Sequence, residues 1–288
     1  MYEAFLKELG GVKYERDKPL SDMTTFRLGG KADLVIYPTS TREAAKAISL
    51  LKGEAHYVVL GGGSNVLCSD KGFRGVVIST KLMNSMRLWG SILVCGAGVR
   101  MKDAVKIACD NTLGGLEFAV GIPGTVGGFI AMNGGCFNKC AADRVCYVVG
   151  EGGVYNNETC CFDYRRSRFS DGEAIFEAAF RLKVTEQDLI EAKLTRFKEV
   201  RKKSQPKGAS SGCCFLNEGF FAGKVIDQAG LKGFGVGGAT VASKHANFII
   251  SDGGTAADVY KLIQTIKEKV YERAGITLHE EIKFIGEF

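Results

Sequence analysis

The chain has 288 residues, of which 45% are hydrophobic and 24% are charged, a composition typical of a globular protein with a sizeable core and two or three domains or subdomains. Its net charge of +6 comes from 38 basic and 32 acidic residues spread along the chain, without the interleaved basic and aromatic residues of a nucleic-acid-binding protein. No apolar run approaches the roughly twenty residues that span a bilayer and the N-terminus does not read as a signal peptide, so we expect a cytoplasmic protein that does not contact a membrane.

The first half of the chain alternates predicted helices and strands. Residues 1–20 are predicted to be helical and peripheral, and the alternating segment 32–37 predicts a strand. A helix follows, with its N-cap within 39–43 and its end at Leu51, and a buried strand at 57–60 completes a strand–helix–strand unit. The inner face of this helix is predicted to hold Ala44, Ala47, Ile48 and Leu51.

The rest of the chain continues the alternation of helices and strands. Further strands are predicted at 75–79, 91–95, 145–149, 153–155, 174–182, 248–251 and 281–285. Further helices are predicted at 100–111, 186–203, 223–229 and 255–274. The 186–203 helix is expected to turn Leu189, Ala192, Leu194 and Phe197 inward. The alternation in both halves predicts an α+β or α/β protein, and the long helix indicates a domain boundary near 190–205.

Glycine is concentrated in two loops, Gly61-Gly-Gly-Ser-Asn65 and the segment from Gly115 to Gly128. Ordering so much glycine costs backbone entropy, which favours positions where a backbone must approach something closely. Neither loop matches the P-loop or the dinucleotide fingerprint. The alternatives are tight turns between strands or two backbone cradles for a phosphate-bearing cofactor, and the two loops together favour the cradles.

The ten cysteines are expected to be reduced thiols in the cytoplasm. Adjacent pairs such as Cys160-Cys161 and Cys213-Cys214 do not have zinc-ligand spacing, and the chain has only three histidines. We therefore expect no metal site. Most of these cysteines are predicted to be small buried hydrophobic residues, with Cys213 as the exception.

Several motifs occur in a fixed order along the chain. They are Thr24-Thr-Phe-Arg-Leu-Gly-Gly30, Leu60-Gly-Gly-Gly-Ser-Asn-Val-Leu67, Gly121-Ile-Pro-Gly-Thr-Val-Gly-Gly128, Tyr164-Arg-x-Ser-x-Phe169, Lys244-His-Ala-Asn-Phe248 and Leu278-x-x-Glu-Ile-Lys-Phe-Ile-Gly286. With them the chain resembles the UDP-N-acetylenolpyruvoylglucosamine reductase family over about residues 20–287. About 35 residues separate Phe169 from Gln205, a length similar to that of the shorter subtype, which lacks an inserted substrate loop.

The resemblance implies an α+β fold with an FAD-binding domain of the vanillyl-alcohol-oxidase type and a C-terminal α/β substrate-binding domain. We place the first at 1–190, in two lobes of about 1–58 and 59–190, and the second at 191–288. The resemblance also implies FAD as cofactor and NADPH as co-substrate. It implies UDP-N-acetylglucosamine enolpyruvate as the small-molecule substrate, which is reduced in peptidoglycan synthesis. The FAD contacts are expected at Leu60, Gly61, Gly62, Gly63, Ser64, Asn65, Ala119, Gly121, Ile122, Gly124, Thr125 and Gly128. Because no apolar seam is evident on the surface, we expect a monomer.

Three residues match the family's catalytic positions. Arg165 would grip the carboxylate on which negative charge develops, and Glu281 would help to activate the enolate-like intermediate. Its neighbour Glu280 is an alternative that spacing to the end of the chain disfavours. Cys213, in Ser211-Gly-Cys-Cys-Phe215, occupies the position of the family's proton-donating serine. A thiol has an ordinary pKa near 8.5 and can donate a proton.

Other readings of these residues stay open. Proton donation by Ser210 or Ser211, or a decayed flavin-binding module, would also account for Cys213. A flavin oxidase of small alcohols or sugars is a rival from the same fold, although such enzymes often attach flavin through a histidine and neither glycine loop contains one. Further substrate contacts are predicted at Tyr164, Lys203, Asn217 and Lys283. His245 is interpreted as a residue that braces the fold.

Overall fold

The computed structural model describes residues 2–288. The described residues form seven α-helices: α1 Glu3–Leu9, α2 Thr41–Leu51, α3 Met101–Asp110, α4 Val126–Ala131, α5 Gln187–Ser204, α6 Ala222–Gln228 and α7 Ala256–Ala274. Short 3-10 helices lie at Leu20–Met23, Thr80–Leu82, Glu117–Ala119, Ala141–Asp143 and Arg168–Asp171. In residues 2–288, no helix is long and apolar enough to cross a membrane.

Eighteen strands alternate with these helices in the described chain. They are β1 Lys13–Pro19, β2 Lys31–Tyr37, β3 Tyr57–Leu60, β4 Val66–Cys68, β5 Phe73–Ser79, β6 Met86–Trp89, β7 Ile92–Gly96, β8 Leu113–Gly114, β9 Gly135–Cys136, β10 Lys139–Cys140, β11 Val145–Gly150, β12 Gly153–Asn156, β13 Ile175–Arg181, β14 Lys183–Val184, β15 Gly235–Val236, β16 Ala239–Val241, β17 Ile249–Ser251 and β18 Lys283–Ile285.

The first of two compact units comprises the chain up to Arg16, Leu34–Gly62 and Gly75–Arg201. It contains most of a four-stranded sheet in the order β1-β2-β5-β3 and a five-stranded sheet in the order β12-β11-β13-β7-β6. Helix α2 packs its buried Ala44, Ala47, Ile48 and Leu51 into one hydrophobic core. Helices α3 and α4 contribute to a second, larger core with the five-stranded sheet.

The second unit comprises Asp17–Asp33, Gly63–Arg74 and Lys202–Phe288. Its core collects apolar residues of α6 and α7 with Phe26 and Leu67, which are 1% and 0% exposed. A three-stranded sheet β15-β16-β17 and a parallel pair of β18 with β4 complete it. Two early motifs of the chain therefore contribute to the core of the C-terminal residues. The domain boundary near 190 stays a prediction. The two compact units are each made of several separate segments of the chain and do not meet at one boundary in the sequence.

Most predicted elements are observed, and two expectations were wrong. Residues 13–19 are not helical, because Gly10 and Gly11 adopt φ of +68° and +61° after α1 and the following polar segment forms the edge strand β1. An edge strand leaves one side open to solvent and accommodates such charged side chains. In α5, Ile190 is the buried residue, and Leu194 and Phe197 follow it on the same face. The predicted Leu189 and Ala192 are exposed, because they lie off this i, i+4, i+7 stripe.

Candidate functional site

Two of the predicted cofactor loops contact each other within the first unit. Strands β3 and β5 run parallel with Leu60 opposite Ser79, so Gly61 and Thr80 both follow the carboxyl end of a strand. A Cβ on Gly61 would overlap the hydroxyl of Thr125, and a Cβ on Gly62 would lie 2.6 Å from the Cα of Gly124. The glycines are therefore required by the approach of the loops, and the loops bring Gly61, Gly62, Gly124 and Thr125 together.

Buried hydroxyl groups lie at this junction without a partner from the described residues. Thr80 and Thr125 are 4% and 5% exposed, and Ser79 is 1% exposed. None of their hydroxyl oxygens has a hydrogen-bond partner in residues 2–288. A buried hydroxyl without a partner is costly, so an acceptor-rich ligand such as FAD, with its diphosphate and ring carbonyls, fits this cradle.

The remaining predicted cofactor residues divide between exposed loop positions and the core. Leu60 and Ala119 are buried, at 3% and 0% exposure. The Ile122 N–H donates to the carbonyl of Ala119 at 3.0 Å. Gly121 is exposed, with φ of +74°, and its carbonyl accepts from Nη2 of Arg201 at 2.8 Å. A Cβ on Gly128 would meet little beyond Thr125 Oγ1 at 3.9 Å, which leaves open space beside it.

Arg165 lies at the tip of a tight turn in the first unit. Asp163 and Arg166 exchange backbone hydrogen bonds of 2.9 and 3.1 Å across it. Arg165 itself has φ of +54°, in the left-handed region that a non-glycine residue rarely adopts. Its Nη1 donates to the carbonyl of Gly135 at 3.2 Å. Such backbone conformations cost free energy and are concentrated at functional sites, which favours a functional reading of Arg165.

Asn133 connects the Arg165 turn to the 3-10 helix Ala141–Asp143, which follows the β9–β10 hairpin, and it was not singled out from the sequence. Its side chain is 7% exposed, donates from Nδ2 to the carbonyl of Asp163 at 2.9 Å, and accepts from the Ala142 N–H at 3.1 Å. A polar residue among the apolar and glycine residues after the second loop was the available signal. Because an amide is both donor and acceptor, one side chain holds together the turn and the 3-10 helix Ala141–Asp143.

In the second unit, Asn247 holds the segment that contains Cys213. Cys213 forms a β-bridge with Phe248, and the Cys214 N–H donates to the Asn247 carbonyl at 2.8 Å. The buried side chain of Asn247 makes both bonds to the Phe215 backbone, accepting from its N–H at 2.9 Å and donating to its carbonyl at 2.8 Å. Cys213 is half-buried, whereas complete burial raises the pKa of the adjacent Cys214 thiol to about 12.

Glu281 lies beside this cysteine segment and beside Asn65 in the same unit. The Glu281 N–H donates to the carbonyl of Cys214 at 2.8 Å. Nδ2 of Asn65 donates to the Glu281 carbonyl at 3.0 Å, and the Lys283 N–H donates to the Asn65 carbonyl, also at 3.0 Å. The second unit therefore brings Asn65, Cys213 and Glu281 together. The alternative acid, Glu280, is in an ion pair with Lys267 at 2.7 Å, which favours a structural role for it.

The other predicted residues have separate surroundings. Tyr164 is 49% exposed in the first unit, 5.8 Å from its ring centre to the Arg165 guanidinium carbon. Lys203 and Lys283 are exposed in the second unit. Asn217 accepts from the Ala222 N–H at 2.8 Å and so holds the start of α6. Ser210 accepts a hydrogen bond on its carbonyl from Thr25 Oγ1 at 2.6 Å, and the Ser211 hydroxyl is buried.

His245 packs as a neutral ring beside the cysteine segment. Its ring meets Phe248 edge-on at 5.0 Å between ring centres, and its Nδ1 accepts from the Asn247 N–H at 3.3 Å. Burial of the ring lowers the pKa of His245 below its ordinary value. A ring held in this way braces Asn247, which in turn holds Cys214 and Phe215.

Comparison with known proteins gives one consistent result over the whole chain. Residues 204–285 match the model of the UDP-N-acetylenolpyruvoylglucosamine reductase C-terminal domain, and residues 32–151 match that of an FAD binding domain. The UDP-N-acetylenolpyruvoylglucosamine reductases of Caldicellulosiruptor bescii and Geobacter metallireducens are each 40% identical to the chain and match all of it, over 95% and 98% of their own length. The crystal structure of the Thermus caldophilus UDP-N-acetylenolpyruvylglucosamine reductase aligns with a TM-score of 0.83 at 33% identity, over 96% of this chain and all of that one.

The lowered pKa of His245 predicts a pH-dependent stability. The folded pKa lies below the ordinary value of about 6.5, so protons bind the unfolded chain more tightly. The stabilisation is complete above about pH 6.5 and is lost as pH falls from there towards the folded pKa. We expect the free energy of unfolding to fall less steeply below about pH 6.5 in His245→Gln than in the unsubstituted protein. Urea titrations followed by circular dichroism measure this, and equal slopes for both proteins would contradict it.

Proposed function

The chain belongs to the UDP-N-acetylenolpyruvoylglucosamine reductase family of flavin-dependent oxidoreductases, and we propose that it uses NADPH and FAD to reduce UDP-N-acetylglucosamine enolpyruvate to UDP-N-acetylmuramate in peptidoglycan synthesis. The observation that carries the proposal is the segment of Cys213 and Cys214 held beside Glu281 by backbone hydrogen bonds. That arrangement brings the backbone beside the candidate acid Cys213 close to the backbone of the candidate carboxylate residue Glu281, in a chain with an FAD-binding domain. The expectations of a monomer and of a cytoplasmic location stay predictions.

Bound FAD would supply the redox chemistry, which is the transfer of a hydride from NADPH to C3 of the enolpyruvyl group. We propose that the Cys213 thiol gives the proton to C2, since it is the half-buried thiol of its pair. The turn that holds Arg165 would present its guanidinium to the substrate carboxylate, where negative charge increases during the reduction. Glu281 would assist at the same stage. Substrate contacts by Tyr164, Lys203, Asn217 and Lys283 belong to the same proposal.

The same proposal includes the residues that contact FAD. We assign Gly61, Gly62, Gly124 and Thr125 to the cofactor because a backbone without side chains and two buried hydroxyls face one junction. Gly121, Ile122, Gly128, Leu60 and Ala119 would complete the site in the first unit. Contacts of Gly63, Ser64 and Asn65 with FAD belong to the same proposal.

The first experiment measures NADPH consumption by the purified, FAD-loaded protein without oxygen, in the presence and absence of UDP-N-acetylglucosamine enolpyruvate. We expect oxidation of NADPH to match the amount of substrate added. A protein that holds FAD but leaves this substrate unreduced would contradict the proposed reaction. Consumption of small alcohols or sugars under oxygen would favour an oxidase. Inactivity towards the enolpyruvyl substrate, the alcohols and the sugars would favour a decayed site.

Replacement of Cys213 tests its assignment as proton donor. In Cys213→Ala we expect NADPH to reduce FAD at the unchanged rate, while oxidation of the reduced flavin by substrate slows by about 10²- to 10⁴-fold, since one general acid contributes that much. Cys213→Ser should recover much of the lost rate. Stopped-flow flavin absorbance separates the two half-reactions.

The control for the Cys213 variants is Cys161→Ala, which removes an exposed thiol of the first unit and should leave both rates unchanged. An unchanged substrate half-reaction in Cys213→Ala would move the donor to another group, with Ser210 and Ser211 the next to replace.

Asn133 is expected to act through Arg165. Asn133→Asp keeps the acceptor for the Ala142 N–H but loses the donor to the Asp163 carbonyl. We expect it to raise the KM for the enolpyruvyl substrate and slow its half-reaction by about tenfold to a hundredfold, because a displaced Arg165 misplaces the carboxylate. Reduction of FAD by NADPH should be unchanged.

The matched control for Asn133→Asp is Asn138→Asp, an exposed asparagine of the same hairpin that also has a positive φ. It should behave as the unsubstituted protein does. Equal losses in both half-reactions of Asn133→Asp would mean that the residue supports the fold generally and does not position Arg165.

A further inference from the structure

Thr80 is not among the residues that the family resemblance implies for FAD binding, but its position at the sheet edge and its hydroxyl both lie close to Gly61. It follows β5 at the same edge of the sheet where Gly61 follows β3. Its Oγ1 lies 3.8 Å from the place that a Cβ on Gly61 would occupy, and Thr125 Oγ1 lies nearer still to that place. Two hydroxyls from separate segments of the first unit therefore converge on one side of the Gly61 backbone.

Neither hydroxyl is used by the protein's own hydrogen bonding in the described chain. Both oxygens are fully buried and lack a partner within residues 2–288. Thr125 is the N-cap residue of α4, where a threonine hydroxyl usually accepts from the helix backbone, yet it makes no capping bond. Buried hydroxyls are nearly always paired in folded proteins. Two unpaired ones at a glycine junction indicate that a ligand supplies the acceptors.

We propose that Thr80 is a cofactor-binding residue, and that its hydroxyl, together with that of Thr125, donates a hydrogen bond to an acceptor atom of bound FAD. A hydroxyl rotates to suit its acceptor, and because both oxygens are buried among protein atoms, neighbouring atoms would move on FAD binding to let an acceptor reach them. The buried position excludes water as a competing partner, which makes the bond to the ligand worth more. The inference concerns FAD binding and does not depend on which substrate the enzyme reduces.

The assignment predicts opposite effects on the protein with and without FAD. Thr80→Val keeps the shape of the side chain and removes the hydroxyl. The apoprotein should keep or raise its thermal midpoint, because an unpaired buried hydroxyl is gone. The Kd for FAD should rise about tenfold or more, because a hydrogen bond to the ligand is lost. Thr80→Ser, which retains the hydroxyl, should bind FAD within about twofold of the unsubstituted protein.

The measurements are a titration of apoprotein with FAD followed by flavin fluorescence, and thermal unfolding of each apoprotein. Thr265→Val is the control, since its hydroxyl bonds the Lys261 carbonyl within α7 in the second unit. It should leave the Kd for FAD unchanged. An unaltered Kd in Thr80→Val, or equal weakening in Thr80→Ser, would overturn the proposal.

A fall in the apoprotein midpoint of Thr80→Val that matches its loss of FAD affinity would also overturn the proposal, since the hydroxyl would then serve the fold. Binding and turnover are measured separately. A protein that binds FAD through Thr80 but does not reduce UDP-N-acetylglucosamine enolpyruvate would contradict the proposed reaction and leave this inference standing.

Discussion

The approach of two backbones in the first unit, Gly61-Gly62 to Gly124-Thr125, is the constraint on which the proposed cofactor site depends. At Gly62 the distance leaves no room for a Cβ, so glycine is required there by contact between protein segments as well as by any ligand. The Gly61-Gly62 loop follows β3 directly, and Gly124-Thr125 directly precedes α4, so these two elements fix the position of the junction. The junction in turn buries the hydroxyls of Thr80 and Thr125, whose unmet hydrogen bonds make FAD a fitting ligand.

Asparagine side chains perform a comparable task at each proposed catalytic residue. Asn133 holds the turn of Arg165, Asn247 holds the segment after Cys213, and Asn65 holds the backbone of Glu281. An amide can donate and accept at once, so it can pair with the backbone of irregular segments that no strand or helix satisfies. The proposed chemistry thus sits on loops whose backbone hydrogen bonds are completed by side chains, which is how a loop acquires the precision of a regular element.

Sequence patterns predicted the regular part of this molecule well and its irregular part only through resemblance. Helix α2 was anticipated with its four buried residues because periodicity and capping agree there. The α+β fold, the family and FAD are confirmed by matches along the chain. The edge strand β1 was missed because its side chains are mostly exposed and carry little alternation. Asn133 and Thr80 were missed because the roles that we propose for them depend on segments distant in sequence, which no local pattern records.

The adjacent cysteines Cys213 and Cys214 illustrate why contacts between segments distant in sequence have to be read from a structure. In the sequence, Cys213 and Cys214 are adjacent residues of the same type, and only the family motif indicates which of them matches the proton-donating serine. In the structure the backbone is extended here, with Cys213 bridged to Phe248 and Cys214 bonded to Asn247, so consecutive side chains point in opposite directions. One thiol is sent into the apolar core, where its pKa rises to about 12 and its proton is retained. The other stays half-buried, and this difference in burial is why we propose Cys213, and not Cys214, as the acid.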